Sequence, residues 1–536
     1  MNHAQNNKSK SIFMVIFKSM LIFLILNGLY ACAPEHNSYF GLDSDSDTDT
    51  DTDTDIDTDT DIDADTDTGT GTNRRKFNTR VVTGQGGFFG ISMLDFGLVH
   101  TRVPVLGIGA HYAEVSNKSG QNIRSGKLYL FAANQVFSDP ADSLLVLHHP
   151  LIQQFSGFGW RLAKPCDFNS DGNPDLPVGA HLDSWGNNTS CGRIVVFWGD
   201  ESGLLTNYRS SLHGLSDSLR SNSDSLGQSI GCIDINGDGY SDLVAGGQNA
   251  GPDDTGLVAL YFGSDKGLPQ TESGIIVPPL GEKAQYFGAS LLVQDLDGDG
   301  APDLTIGGWG LTKNQKEGNP HTGGLLVYAG NTRWDKGPDY SIFPDTTGKI
   351  QFGSDLMFID TESIGPDAAS KNRPGLLLVA APGYQPPGVS SPVGGIFVYS
   401  TGDPGFAGRG PVQVLTPPNL TPDTGFPSGF DFVPDYCGKD CGALVVGMKY
   451  ADASASLPGT GAAAVFLLAP DHERFLEKPL LLTAPVPKSM DGFGASVRFV
   501  KDLNGDGLGD FAVGIPEHVE GDLNTGDQTG GVVLFY

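Results

Sequence analysis

Four nine-residue stretches hold the residues best placed for chemistry: 167–175 (DFNSDGNPD), 234–242 (DINGDGYSD), 295–303 (DLDGDGAPD) and 502–510 (DLNGDGLGD). Positions 1, 3, 5 and 9 carry side-chain oxygens. These are Asp167, Asn169, Asp171 and Asp175; Asp234, Asn236, Asp238 and Asp242; Asp295, Asp297, Asp299 and Asp303; and Asp502, Asn504, Asp506 and Asp510. Position 7 adds a backbone carbonyl, from Asn173, Tyr240, Ala301 and Leu508, and a glycine at position 6 permits the sharp turn. An all-oxygen cage of this kind suits Ca²⁺, one ion per loop and about four in all. Asp, Asn and Gly also make plain solvated turns, but four copies in one register demand more than turn formation. No glutamate stands at position 12, and a short apolar run follows each loop (LPVG, LVAG, LTIG, FAVG). The expected setting is therefore a β-hairpin loop rather than a helix-loop-helix. The third loop alone has four carboxylates and is expected to hold its ion most tightly.

The loops punctuate a repeat. Their first aspartates fall at 167, 234, 295 and 502, so two gaps are 67 and 61 residues and the last, 207, is three times 69. Degenerate units fill that gap. A Phe-Gly or similar pair opens the units at Phe89-Gly90, Phe158-Gly159, Leu226-Gly227, Phe287-Gly288, Phe352-Gly353 and Phe493-Gly494, with the sixth opening near Gly429-Phe430. An apolar run recurs seven times after a later glycine, from GKLYLFAA at Gly126 to GGVVLFY at Gly530. Seven units of roughly 65 residues signal a propeller or solenoid. Each holds short runs rich in Val, Leu, Ile and Phe, bounded by Gly, Pro and Asp, without helical periodicity, and so reads as strands. The 74 glycines and 34 prolines agree with a structure of many tight turns. The fold predicted is all-β: a seven-bladed β-propeller of four-stranded antiparallel blades, which leaves only short sheet edges. The chain ends at Tyr536 on a third strand, so Phe77 to Val82 is predicted to close the ring by pairing with Val532 to Tyr536.

On the Phe-Gly starts, the DxDxDG and DxNxDG loops, and the turns Gly179-Ala180-His181, Ala380-Ala381-Pro382 and Gly514-Ile515-Pro516, residues 77–536 resemble the FG-GAP repeats of integrin α-subunit propellers and their bacterial relatives. The resemblance implies that the loops join first and second strands on a lower face and that partners bind the upper face. Integrin leg domains have no counterpart here. Where the loop decays, the oxygens go too: in unit six the aligned positions are Asp435, Cys437, Lys439 and Ala443, and a disulfide between Cys437 and Cys441 is expected to staple that hairpin instead.

Residues 1–31 read as a lipoprotein signal peptide, with Lys8, Lys10 and Lys18, an apolar run from Met20 to Leu26, and Leu29-Tyr30-Ala31 ahead of Cys32. Cys32 would carry the acyl chains, which implies an exported protein anchored to a bacterial outer membrane or cell surface. Residues 32–76 form a tether in which Asp43 to Thr68 nearly alternate Asp and Thr; such a segment cannot bury a core and is expected to be disordered. Fully extended, the tether spans at most roughly 150 Å. The formal charge of −30 argues against a nucleic-acid partner. Besides Cys32, the mature chain has five cysteines, an odd count in an oxidising compartment.

Enzyme signatures such as HExxH and the Walker loop are absent from the sequence. Catalytic candidates reduce to His111, His181 and His518 on turns after second strands, near Asp253, Asp254, Glu317, Glu520 and Asp522. The same turns carry Tyr112, Trp185, Trp309, Tyr384 and Tyr450, an aromatic rim suited either to stacking on a ligand or to plugging the channel. The expected function is a non-catalytic, monomeric binding or adhesion module for an extracellular protein or glycan, with calcium stiffening it. The alternatives are an envelope structural or assembly component, and a polysaccharide hydrolase or lyase, which would need converging acid and base groups.

Overall fold

A computed structural model describes residues 75 and 77–536, apart from 85, 97–104, 134–135, 138, 201–208, 252–253, 279–284, 313–321, 331–333, 347, 361–374, 404, 419–421, 440, 453, 455–456 and 519–528. The signal peptide, Cys32 and the Asp-Thr tether lie outside the described residues.

Alternating side chains explain why the apolar runs become strands buried on both faces. In the strand Asp242–Gly247, Leu243 and Ala245 pack toward one neighbouring sheet and Val244 toward the other; in Leu257–Tyr261, Leu257, Ala259 and Tyr261 face the first and Val258 and Leu260 the second. Period-2 alternation thus divides a continuous apolar run between two interfaces. The result is seven four-stranded antiparallel sheets, the blades of a β-propeller. Their first strands are Ser92–Asp95, Phe158–Leu162, Ser229–Ile233, Phe287–Gln294, Leu356–Ile359, Phe430–Val433 and Val497–Phe499. Each later strand in a blade pairs antiparallel with the one before it. The core is correspondingly distributed: seven apolar clusters each join one blade to the next, including one that joins the seventh to the first through Val500, Leu534, Leu106 and Ile108.

The ring closes as the sequence predicts. Thr79–Thr83 pairs antiparallel with Gly531–Phe535 in the register Thr79 to Phe535 through Thr83 to Gly531, and Asn78 and Tyr536 exchange backbone hydrogen bonds of 2.8 and 3.0 Å. The N-terminal strand is thus the outer strand of blade seven.

The Phe-Gly pairs turn out to be blade-to-blade contacts. In Gly246 and Gly288, as at five other junctions, two backbones meet: a Cβ added to Gly246 would lie 2.0 Å from the Gly288 carbonyl. The serine two residues after the glycine adds a tie, with the Ser229 hydroxyl donating to the Gly288 carbonyl at 2.6 Å, and Ser92, Ser290 and Ser496 doing the same at their own junctions. The sixth unit needs a correction. Its buried phenylalanine is Phe426, whose carbonyl faces Gly394 as the Phe352 carbonyl faces Gly323, and a cis Phe426-Pro427 bond stands where Phe-Gly stands elsewhere. Gly429-Phe430 instead leads into the first strand. A two-stranded hairpin outside the blade sheets, Glu114–Ser116 with Asn122–Arg124, lies between the second and third strands of blade one and was not expected from the sequence. Among the described residues, no helix is long and apolar enough to cross a membrane.

Candidate metal loops and upper face

The four acidic loops connect first and second strands, so they share the lower face. The chain reverses through residues that tolerate a left-handed backbone. Gly172, Gly239, Gly300 and Gly507 at position 6 all have φ between 82° and 90°, and no atom lies within 4 Å of where a Cβ would stand. The glycine is required by conformation here, not by space.

The side chains at positions 1 and 5 brace this turn. Asp167 accepts hydrogen bonds from the Asp171 and Gly172 amides at 3.1 and 2.8 Å, and Asp234 from the Asp238 and Gly239 amides at 3.1 and 2.9 Å. The amides of Gly300 and Gly507 bond to Asp295 and Asp502, each at 2.8 Å. Position 5 then accepts from the amide of position 7: Asn173, Tyr240, Ala301 and Leu508 donate to Asp171, Asp238, Asp299 and Asp506. In three loops the position-3 amide group also donates to the position-5 carboxylate: Asn169 to Asp171, Asn236 to Asp238 and Asn504 to Asp506, at 2.9, 3.0 and 3.1 Å. Asp297 has no NH₂ to offer. In its loop, one oxygen each of Asp295, Asp297 and Asp303 lie within 4.8 Å of one another.

Position 9 is the buried end of every loop. Asp175, Asp242 and Asp303 each accept two backbone hydrogen bonds, one from position 2 (Phe168, Ile235, Leu296) and one from the glycine after the third strand of the same blade (Gly199, Gly263, Gly330). Burial, reinforced by neighbouring loop carboxylates, nevertheless pushes Asp175 up to about 7 and Asp242 and Asp303 up to about 6. A buried carboxylate that is costly to ionise alone, in a loop of side-chain oxygens, fits a hard divalent cation in the first three loops, and in the third the carboxylate oxygens already converge.

The fourth loop differs at this position. Asp510 accepts from Leu503 at 2.6 Å, but its other oxygen lies 2.5 Å from a guanidinium nitrogen of Arg75. That guanidinium also donates to the carbonyls of Tyr436 and Gly509, and lies 3.9 Å from Asp506. No sequence signal pointed to Arg75, because its partners are more than 360 residues away in the chain.

In the degenerate sixth loop, Cys437 and Cys441 are joined. Cys166, directly before the first loop, is bonded to Cys232, two residues before the second, so a disulfide ties the necks of two loops on adjacent blades. Cys191 is buried and unpaired.

The opposite, upper face carries the aromatic set, each member half-buried. Trp309 stacks on Tyr286 at 3.5 Å, with planes 11° apart, and Trp185 lies against the guanidinium groups of Arg220 and Arg193 at 4.1 and 5.4 Å. Tyr112 contacts Phe88 and Phe155, Tyr384 packs on Phe397, and Tyr450 lies beside the Lys449 ammonium. In the contacts described, each of the five packs on neighbours of its own and stays partly exposed. Phe155 and Met490, on the same face, are 46% and 52% exposed. His111 and His181 sit beneath this surface on either side of Trp160, at 5.1 and 4.9 Å between rings. Burial, and for His111 also the proximity of His181, lowers both to about 3, so they are neutral at physiological pH. The His518 Nδ1 lies 3.0 Å from Asp491. Asp253, Glu317, Glu520 and Asp522 lie outside the described residues.

The chain resembles two kinds of curated protein. Phosphatidylinositol-glycan-specific phospholipase D of Bos taurus is 30% identical over 159 residues, 28% of this chain and 19% of its own length. Integrin alpha-PS5 of Drosophila melanogaster is 32% identical over 193 residues, 34% of this chain and 18% of its own, and Integrin alpha-4 of Xenopus laevis is 28% identical over 225 residues, 41% and 20%. The matched region therefore spans about a fifth of the length of these relatives. No family model matches the chain. Among solved structures, the GH93 alpha-L-arabinofuranosidase of Fusarium graminearum with arabinobiose aligns at a TM-score of 0.40 and 11% identity over 68% of this chain and 90% of its own, too distant a likeness to carry an argument.

Proposed function

For this chain, which belongs to the FG-GAP propellers related to integrin α-subunits, we propose a calcium-organised, non-catalytic binding module that engages an extracellular protein or glycan with its upper face. The observation that carries the reading is the separation of the two faces. Acidic loops and a disulfide between loop necks stiffen the lower one, whereas the upper one presents half-buried aromatic edges beside exposed Phe155 and Met490. Aromatic edges with nearby guanidinium and hydroxyl groups suit sugar rings and peptide side chains alike.

When bound, calcium would neutralise the mutual repulsion of the loop carboxylates and, through Asp175, Asp242 and Asp303, fix the start of each second strand. A ligand that binds only the folded form stabilises it by mass action. In the same proposal Cys32 bears the lipid, the lipid alone attaches the protein to a membrane, and the propeller acts as a monomer.

The test is an array of glycans and extracellular matrix proteins probed with the full-length chain in millimolar calcium and again in chelator. Binding in calcium that disappears in chelator is the expected result. Equal binding in both conditions removes calcium from the proposal, and no binding in either removes the ligand-binding role.

A further inference from the structure

Arg75 sits two residues ahead of Phe77, at the point where the chain enters blade seven, and its side chain is only 4% exposed. An arginine withdrawn from water to this degree requires compensation, and both terminal nitrogens of the guanidinium find it. One nitrogen donates to the carbonyls of Tyr436 and Gly509; another lies 2.5 Å from Asp510, which is itself fully buried. The guanidinium is flanked by the rings of Phe77 at 4.7 Å and Tyr436 at 5.9 Å. Tyr436 belongs to the sixth unit, where the acidic loop has decayed, so two neighbouring units form the socket.

A comparison of the four loops says what Arg75 replaces. In the first three, the outer oxygen of the position-9 aspartate accepts from the glycine that follows the third strand: Gly199, Gly263 or Gly330. In blade seven the Arg75 guanidinium makes the bond to the corresponding oxygen of Asp510 instead. The replacement brings a positive charge that the glycine amide lacks. It lies within 3.9 Å of Asp506 as well, so two of the four side chains that would hold an ion in this loop already face a cation. A divalent ion placed among the same oxygens would meet a like charge at close range.

We infer that Arg75 takes the place of calcium in the fourth loop, so that the propeller holds three tightly bound ions rather than four and the fourth loop serves as the socket that locks the N-terminal segment into the ring. This rests on the reading of the other three loops as calcium sites. It departs from the sequence expectation of about four ions, which counted loop motifs without the residue that enters the last of them.

The experiment is to count tightly bound calcium by equilibrium dialysis of the full-length chain at micromolar free calcium, where isolated carboxylates of the Asp-Thr segment contribute little. Four proteins are compared: the wild type, Asp502→Ala, Asp234→Ala and Arg75→Gln. Three ions in the wild type, three in D502A, two in D234A and four in R75Q are expected. Four ions in the wild type falling to three in D502A overturn the inference while leaving the calcium reading intact. No tight ion in any of the four overturns the calcium reading, and this inference with it. Three ions in both the wild type and R75Q overturn the role given to Arg75. The D502A comparison stands by itself if R75Q fails to fold, because Asp502 makes no contact with Arg75 in the hydrogen bonds and ion pairs described.

Discussion

Asp297 has an asparagine counterpart in each of the other three loops, and the exchange matters because an asparagine quiets the position-5 carboxylate with a donated hydrogen bond while an aspartate adds to its charge. Burial, with Asp299 and Asp295 beside it, raises the Asp297 carboxyl above its ordinary value, which is repulsion waiting for a cation. Asp297→Asn is expected to weaken calcium at this loop about tenfold, ligand charge being one of the terms that set affinity; an unchanged affinity in titrations of that variant would remove the charge argument. Protons compete for the same oxygens. The ionised form of Asp175 is the one that takes an ion, and its folded value of about 7 lies above the ordinary 3.8. Without calcium the folded chain therefore keeps a proton that the unfolded chain releases, a contribution present below pH 3.8 and lost as pH rises through 7. Calcium reverses that loss. The rise in Tm on adding calcium is expected to be small at pH 5 and to grow through pH 6 and 7, with Asp242 and Asp303 released near 6 and Asp175 near 7; a calcium increment independent of pH across this range counts against position 9 as a ligand. At this scale the loops were legible because their information is local, carried by residue type and spacing within nine positions. Arg75 and the pairing of Cys166 with Cys232 were not, because each is decided by which blades the ring brings together.

At the scale of elements, two glycines of one blade separate two kinds of requirement. Gly239 turns the second loop at a φ of 90° with nothing within 4 Å, whereas Gly246 lies on a strand with a neighbouring backbone at 2.0 Å from a would-be Cβ. Gly239→Ala should cost about 1 kcal/mol, the conformational penalty alone. Gly246→Ala must push blade four away from blade three and should cost about 3 kcal/mol or more, at the upper end of what overpacking exacts. Chemical denaturation of the two variants checks the order, and equal losses would show that the junction relaxes. The glycines four residues after each loop were visible in the sequence as a spacing, and the structure gives that spacing its cause: Gly179, Gly246, Gly307 and Gly514 are where the next blade's Phe-Gly carbonyl arrives. Strands were legible for a related reason, since sheets covered on both faces read as apolar runs rather than alternation. The start of the sixth unit misled because Phe426 keeps the phenylalanine of the pattern while Pro427 replaces its glycine, and Gly429-Phe430 presents the same two letters reversed.

The whole molecule is a ring whose two ends meet in one sheet, and that closure orients everything else. First strands run from the upper face to the acidic loops, so the third strand of blade seven descends to the loop side and its partner, Thr79–Thr83, begins there. The chain consequently enters the propeller beside the fourth loop, on the face opposite the aromatic edges. A load between the N-terminus and an object held on the upper face would then run along Thr79–Thr83 rather than across it. The backbone bonds of that strand to Gly531–Phe535 would be sheared together, sharing the tension, instead of being peeled one at a time, and the buried Arg75 would act as the rivet at the end where the pull arrives.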